Sequence, residues 1–388
     1  MGDDGPTVPD VPALIDRLPP QYFAGILATV AAERAKPGPR VIDLGRGNPD
    51  LPPPPEAVEA VRVAALETGT PAVHGYPPFQ GTPELKAALA ARYAADHGVT
   101  LDPETEIAIV PGAKTGIMLL TLATAADGDR VLVPDPGYPD YASGVALAGG
   151  VHTPLPLEAS AGFQPDMDAA PAAALALLNY PSNPCAVLEH PGTFEAAVAW
   201  AHRKGGWLCH DIAYGHLAFD GRRSRSVLEV DGARDVAVEL WSSSKRYGMA
   251  GWRIGAVLGA AGLVARVKTL VDHLTAGVWT GLQRGLTAAL TGDQRTVAEA
   301  CATYEARRDR IVGRLRAAGA DVAVPEGSFY AWWGLPEDLP ADRLLREARV
   351  SVAPGDGFGG RGAGWARLSL ATPDADLDEA TDRLVAHL

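Results

Sequence analysis

Residues 239–255 read ELWSSSKRYGMAGWRIG, and the fold turns on how this stretch is understood. An apolar run leads into Ser242, Ser243 and Ser244, then Lys245, with Arg253 eight residues on. A lysine in an average position is a solvated loop residue. This one is wedged between VAVEL (236–240) and IGAVLG (254–259), two apolar runs that read as buried strands. An amine desolvated there stays partly neutral and nucleophilic, as imine-forming lysines require. Ser242, Ser244 and Arg253 add hydroxyls and a fixed cation, a natural grip for a phosphate dianion. An amine beside a phosphate grip points to pyridoxal 5'-phosphate.

Working outward, similar apolar runs recur at EIAIV (106–110), RVLVP (130–134), ALALL (174–178) and WLCHD (207–211). Helical spacing fills gaps between them at 115–126, 193–203 and 261–290. Short continuous apolar strands separated by helices predict an α/β fold, a mostly parallel sheet covered on both faces. Upstream, 1–11 reads as a loose leader and 13–35 as a helix interrupted at Pro19-Pro20. A short strand follows in PRVIDLG (39–45), then DLPPPP (50–55) as a stiff linker. Helices are expected at 56–67, 83–97 and 292–319, strands around 328–333 and 365–371, and a terminal helix at 375–387. The expected division is an N-terminal arm with part of a small domain (1–49), a large αβα domain (50–288) and a small α+β domain (289–388).

With 34 basic and 47 acidic residues in 388, the net charge is −13, which disfavours a general role on nucleic acid. Six lysines in all (36, 86, 114, 204, 245 and 268) leave few candidates for amine chemistry. Three cysteines without a C-x-x-C pair support neither a disulfide framework nor a structural zinc site. The N-terminus lacks a basic and apolar leader, and the longest uncharged stretch, 169–188, carries three prolines. No signal peptide or membrane span is expected, and a cytoplasmic protein is the default.

Two other patterns carry little. Residues 355–360 match G-x-G-x-x-G but run toward a strand rather than opening a helix, so a mobile glycine loop is expected, not a nucleotide site. His210, Asp211 and His216 hint at metal, yet adjacent residues of a strand face opposite ways and no second cluster supports them. No metal is expected.

SSSKRYGMAGWRIG strongly resembles the Ser-x-Ser-Lys-x-x-x-x-x-Gly-x-Arg signature of class I/II aminotransferases, the fold-type I pyridoxal-phosphate enzymes. The resemblance runs from about Leu18 to the terminal helix. Within the family, the chain looks most like the branch of LL-diaminopimelate aminotransferases and their broad-specificity relatives. It implies that Lys245 carries the cofactor and moves the substrate proton. In PGAKTGI (111–117) the amides around Ala113 and Lys114 hold the phosphate at a helix N-terminus, joined by Ser242, Ser244 and Arg253. Tyr138 in VPDPGYPDY (133–141) stacks on the pyridine ring. Asn183 in NYPSNPCAV (179–187) and Tyr214 bind the phenolic oxygen, and Asp211 in HDIAYGHLAFDG (210–221) pairs with the ring nitrogen. Arg367 in WARLSLA (365–371) grips the substrate carboxylate, and Tyr22 and Gly47 line the substrate side. Tyr76 in HGYPPFQG (74–81) and Thr280 are placed to serve a partner's site, so a homodimer is implied.

Departures from the family pattern fall at three places. Cys185-Ala186 stands where Thr-Gly is common, Thr280 where diaminopimelate-specific relatives carry Asn, and Arg46 where an apolar residue is usual. The implied activity is transfer of an amino group between an α-amino acid and a 2-oxo acid. Elimination, decarboxylation or O2-dependent oxidation on the same scaffold is the alternative, and a non-catalytic cofactor-binding regulator a further one. Arg46 predicts a substrate with a polar or anionic distal group. The opposing expectation is that Trp279 narrows the pocket toward aromatic or aliphatic side chains while Arg46 points to water.

Overall fold

The computed structural model describes residues 14–388, so the leader expected over 1–11 lies outside the described residues. Seven strands form the central sheet. They are β1 (Ile107–Val110), β2 (Arg130–Asp135), β3 (Val151–Pro156), β4 (Leu175–Asn179), β5 (Trp207–Asp211), β6 (Ala237–Ser242) and β7 (Gly255–Gly259), in the order β1-β7-β6-β5-β4-β2-β3. The run from β3 through β2, β4 and β5 to β6 is parallel, and β7 is antiparallel to both its neighbours. Every residue of β4, β6 and β7 is buried, as strands covered on both faces must be. Ile117, Leu120, Val264 and Val267 cover one face, while Leu89, Phe194, Trp200 and Leu286 belong to the core on the other. The chain is therefore α/β, with the carboxyl ends of β4, β5 and β6 presenting Asn179, Asp211 and Ser242 at one edge. That edge is where open α/β sheets bind ligands.

Local chemistry explains several helix limits. Pro55 and Pro83 occupy first helical positions, where the missing N–H costs nothing. The side chain of Thr82 accepts from the Leu85 N–H at 3.3 Å, and Gly98 closes that helix in the left-handed region. The periodicity across 261–290 hides a break: the structure has separate helices at Ala261–Leu274 and Thr280–Thr291. Gly277 lies between them at φ +78°, in close contact with Pro77 and Phe79. Strand β3 was not legible, because it is an edge strand with prolines at 154 and 156 and only Leu155 buried.

The C-terminal part builds a second core. A four-stranded antiparallel sheet joins Ala353–Pro354, Trp365–Ser369, Tyr330–Gly334 and Asp321–Val322. Ile42–Asp43 pairs in parallel with Val350–Ser351, so the strand expected over 39–45 forms at these two residues and is tied to the far end of the chain. Ile42 and Leu44 pack there with Ile311, Leu315, Trp333 and Leu377. Arg307 of the helix Arg295–Ala317 reaches Asp50 at 2.9 Å.

The expected mobile glycine loop is instead a tightly packed turn. A side chain on Gly357 would collide with the Tyr22 ring at 1.9 Å, and one on Gly359 with Asp135 at 2.2 Å. Its glycines permit the close approach of Tyr22 and Asp135.

Candidate active site

One cavity of about 340 Å³ opens at the carboxyl edge of the central sheet, and Lys245 lines it. Strand β6 ends at Ser242 and passes into the single turn Ser243–Arg246, which carries Lys245 inward. Its Nζ donates to the carbonyl of Gly47 at 2.6 Å and lies 5.3 Å from the centre of the Phe329 ring. Burial lowers the amine's pKa from 10.5 to about 7, with the Arg367 and Arg253 charges adding to the effect and Asp211 opposing it. Position 47 must be glycine, because a Cβ there would sit 1.9 Å from the Tyr330 hydroxyl.

Three segments meet at the cavity floor. Gly112, at φ +84°, starts the helix Ala113–Thr124 without a side-chain cap, leaving its first N–H groups free to meet an anion. Arg253 faces that end in the left-handed region at φ 57°, a conformation costing a non-glycine residue about 1–2 kcal/mol. A Cβ on Gly112 would approach Arg253 Nη2 to 2.6 Å, and one on Gly255 would approach the Ala113 nitrogen to 2.8 Å, so the glycines let the backbone and guanidinium converge. Ser242 and Ser244 line the same corner, tied by a bond from the Ser244 N–H to the Ser242 Oγ at 3.2 Å.

Asp211 ends β5 with its carboxylate buried. Tyr141 Oη donates to Oδ2 at 2.9 Å and the Ala213 N–H to Oδ1 at 3.2 Å. Burial holds its pKa above the ordinary value, the state of a carboxylate that gains from a cationic partner. Arg367 is also buried, with Nη1 on the Asn183 Oδ1 at 2.7 Å and Nη2 on the Gly45 carbonyl at 2.9 Å. Both acceptors are neutral, and Nε has no partner among the described residues. The guanidinium lies 4.0 Å from the Tyr330 ring centre and 4.9 Å from that of Phe358. Among the described residues this buried cation has no carboxylate partner, so folding leaves its charge unpaired.

The cavity brings together Lys245, Ala113, Lys114, Tyr138, Asn183, Asp211, Tyr214, Ser242, Ser244, Arg253, Gly47, Arg46 and Arg367. It does not include three expected residues. Tyr22 packs behind it, donating its hydroxyl to the Pro354 carbonyl and meeting the Phe23 ring at a tilt and the Phe358 ring edge-on. Tyr76 is 84% exposed, away from this chain's own cavity. Thr280 begins a helix beside Trp279, whose Nε1 donates to the Val73 carbonyl at 2.8 Å and whose ring stacks on His74. Sequence reasoning missed Tyr330, Tyr141 and Asn179. Tyr330 bonds the Tyr214 hydroxyl at 3.0 Å, and Asn179 accepts from the Asn183 N–H at 2.7 Å. Tyr141 and Asn179 lay inside segments already singled out; Tyr330 is one aromatic among several in a buried strand, without a distinguishing signal.

With this geometry in place, comparison with known proteins is decisive. The family model for aminotransferase class I and II matches residues 39–384. The chain belongs to the class I and II aminotransferases. It is 42% identical over 379 residues to an LL-diaminopimelate aminotransferase of Desulforudis audaxviator, covering 95% of this chain and 96% of that one. It is 40% identical over 380 residues to the L-glutamine–4-(methylsulfanyl)-2-oxobutanoate aminotransferase of Bacillus subtilis, covering 96% and 94%. The substrate-bound structure of BacF from Bacillus subtilis superposes with a TM-score of 0.92 at 36% identity, covering 98% of each chain. Structurally this aminotransferase has the fold-type I architecture, and its activity is transfer of an amino group between amino and 2-oxo acids. Among the described residues no helix is long and apolar enough to cross a membrane.

The buried amine makes a direct prediction. In cofactor-free protein, trapping of Lys245 by a small aldehyde and borohydride, read by peptide mass spectrometry, should rise with pH around a midpoint near 7. Below that the ammonium is unreactive. A midpoint near 10 would show that the amine is solvated.

Proposed function

We propose that this aminotransferase works through pyridoxal phosphate held in the Lys245 cavity. The observation that carries this is the convergence of a buried amine, an uncapped helix N-terminus facing Arg253, and the buried Asp211 carboxylate on one cavity. The residues suit each end of the cofactor. The amides of Ala113 and Lys114, with Ser242, Ser244 and Arg253, suit the phosphate; Asp211 suits the protonated pyridine nitrogen; Asn183 and Tyr214 suit the phenolic oxygen; and Tyr138 suits the ring face. Bound there, the cofactor supplies an electron sink that acidifies the substrate Cα–H. Arg367 holds the α-carboxylate, fixing that bond's direction. Lys245, its amine kept partly neutral by burial, takes the Cα proton and returns it across the site. The three cysteines are free thiols, in keeping with a cytoplasmic enzyme.

Incubation with a panel of amino acids plus 2-oxoglutarate or pyruvate should give glutamate or alanine and the matching new 2-oxo acid, followed by mass spectrometry. Lys245→Ala should lose the visible absorbance of the bound cofactor and at least about a hundredfold in rate, the usual contribution of a positioned base. Ammonia or hydrogen peroxide without glutamate or alanine would refute amino-group transfer.

We read the working form as a homodimer with shared sites, and the chain as a large αβα domain plus a small domain drawn from both ends. Val58, Val63 and Leu66 on one helix, Tyr76 and Phe79 on the next segment, and Leu274 leave apolar side chains exposed. Trp279 and the Arg284–Glu67 pair tie these segments into one face, where Tyr76 and Thr280 would reach a neighbour. Light scattering should give twice 40.4 kDa. A fully active monomer would remove the shared site.

Arg46 sets the substrate class. It is an exposed residue lining the cavity, which Phe23, Ile26 and Leu27 also line, and it has no partner among the described residues. A distal carboxylate or amide would give it a charge-assisted bond. Arg46→Ile should lower kcat/KM for glutamate about tenfold while leaving leucine nearly unchanged, the scale of one such bond. An unaltered preference would place Arg46 in solvent.

A further inference from the structure

Behind Asp211, on the opposite face of the sheet, lies a His–Glu pair that does not line the cavity. His210 and Glu239 stand side by side on β5 and β6 in direct register, both fully buried. His210 Nδ1 is 2.7 Å from Glu239 Oε1, and Nε2 is 2.8 Å from the carbonyl oxygen of Tyr180. A carbonyl and a carboxylate both accept only, so each ring nitrogen must carry a hydrogen. Glu239 in turn receives the Ser226 hydroxyl at 2.7 Å and the Val227 N–H at 2.9 Å, all donors to an ionised carboxylate. Burial pulls the imidazole toward neutrality, but the Glu239 bond and charge outweigh it and raise its pKa. The other titratable groups in electrostatic reach of the pair are Glu189, Tyr93, His97 and, pointing to the other face, Asp211 and Cys209.

The Tyr180 carbonyl is the first one beyond β4, at the root of the segment that carries Asn183. On the cofactor-side face, Asn179 Nδ2 donates to the Asp211 carbonyl at 2.8 Å, and its Oδ1 accepts from the Asn183 N–H. His210 holds the same segment from the other face. Asn183 Oδ1 then accepts from Arg367 Nη1 at 2.7 Å. We propose that His210 is a positioning residue, an imidazolium braced by Glu239 that fixes the Tyr180 carbonyl and, through Asn183, the aim of Arg367. This rests on Arg367 being the carboxylate grip.

The test uses the cofactor-saturated enzyme labelled with 15N-histidine. The His210 resonance, assigned by its absence in His210→Gln, should show both ring nitrogens protonated from pH 6 to pH 9. Glu239→Gln keeps the shape but removes the charge that holds the imidazolium, and should leave His210 neutral, its single N–H on Nδ1 and the Tyr180 carbonyl unmet. In both variants KM for the amino acid and the 2-oxo acid should rise about tenfold, what loss of one hydrogen bond to a charged group gives, with kcat changed far less. Should His210→Gln fail to fold, Glu239→Gln carries both readouts. A neutral imidazole in the wild type, or unchanged KM in Glu239→Gln once the NMR shows His210 neutral, overturns the proposal. Arg367→Lys serves as the reference: unchanged KM there would overturn the carboxylate-grip reading itself, independently of the histidine signal.

Discussion

An ammonium ion is costly to bury, and the site is organised around that cost at Lys245. The amine is enclosed beneath the Phe329 ring, with two guanidinium groups in electrostatic reach and Asp211 opposing them. Its neutral form is favoured because the surroundings penalise the charged one. Nothing in SSSK as a string of residues does this. It follows from the end of a fully buried strand delivering the side chain into a cavity closed by the C-terminal part of the chain.

Closing that cavity demands unusual proximity between backbones. Gly47, Gly112 and Gly255 stand where a Cβ would meet the Tyr330 hydroxyl, Arg253 and the Ala113 nitrogen respectively. Gly255 is fixed by backbone distant in sequence, Gly47 by the Tyr330 ring, and Gly112 by its left-handed φ of +84° beside the Arg253 guanidinium. The same logic recasts the Gly355–Gly360 turn, whose glycines accommodate Tyr22 and Asp135. A fingerprint made only of glycines says that backbones come close, and the neighbours decide why.

Charge is distributed with similar economy. The chain is acidic overall, yet the cavity gathers Arg253, Arg367, Lys114 and Arg46. Arg367 has neutral acceptors and, among the described residues, an unpartnered Nε, so folding leaves this cation without a neutralising charge. Behind the sheet the opposite solution appears, where His210 and Glu239 cancel each other in full burial.

What the sequence determined by itself was the local and periodic part. Apolar runs such as EIAIV and WLCHD marked β1 and β5 because strands buried on both faces carry no other pattern, and contiguous motifs named Lys245, Asp211, Asn183 and Arg253 because their spacing is short-range. Edge strand β3 escaped because it buries too little to leave a signal, and the break at Gly277 because helical periodicity continues on both sides of it. Only the tertiary structure decided that Tyr330 and Tyr141 belong to the site and that Tyr22, Tyr76 and Thr280 stay outside this chain's own cavity. It alone set the acidity of Lys245 and paired His210 with Glu239. Those properties depend on burial and on partners up to hundreds of residues away, and neither is written in the identity of the neighbouring residues.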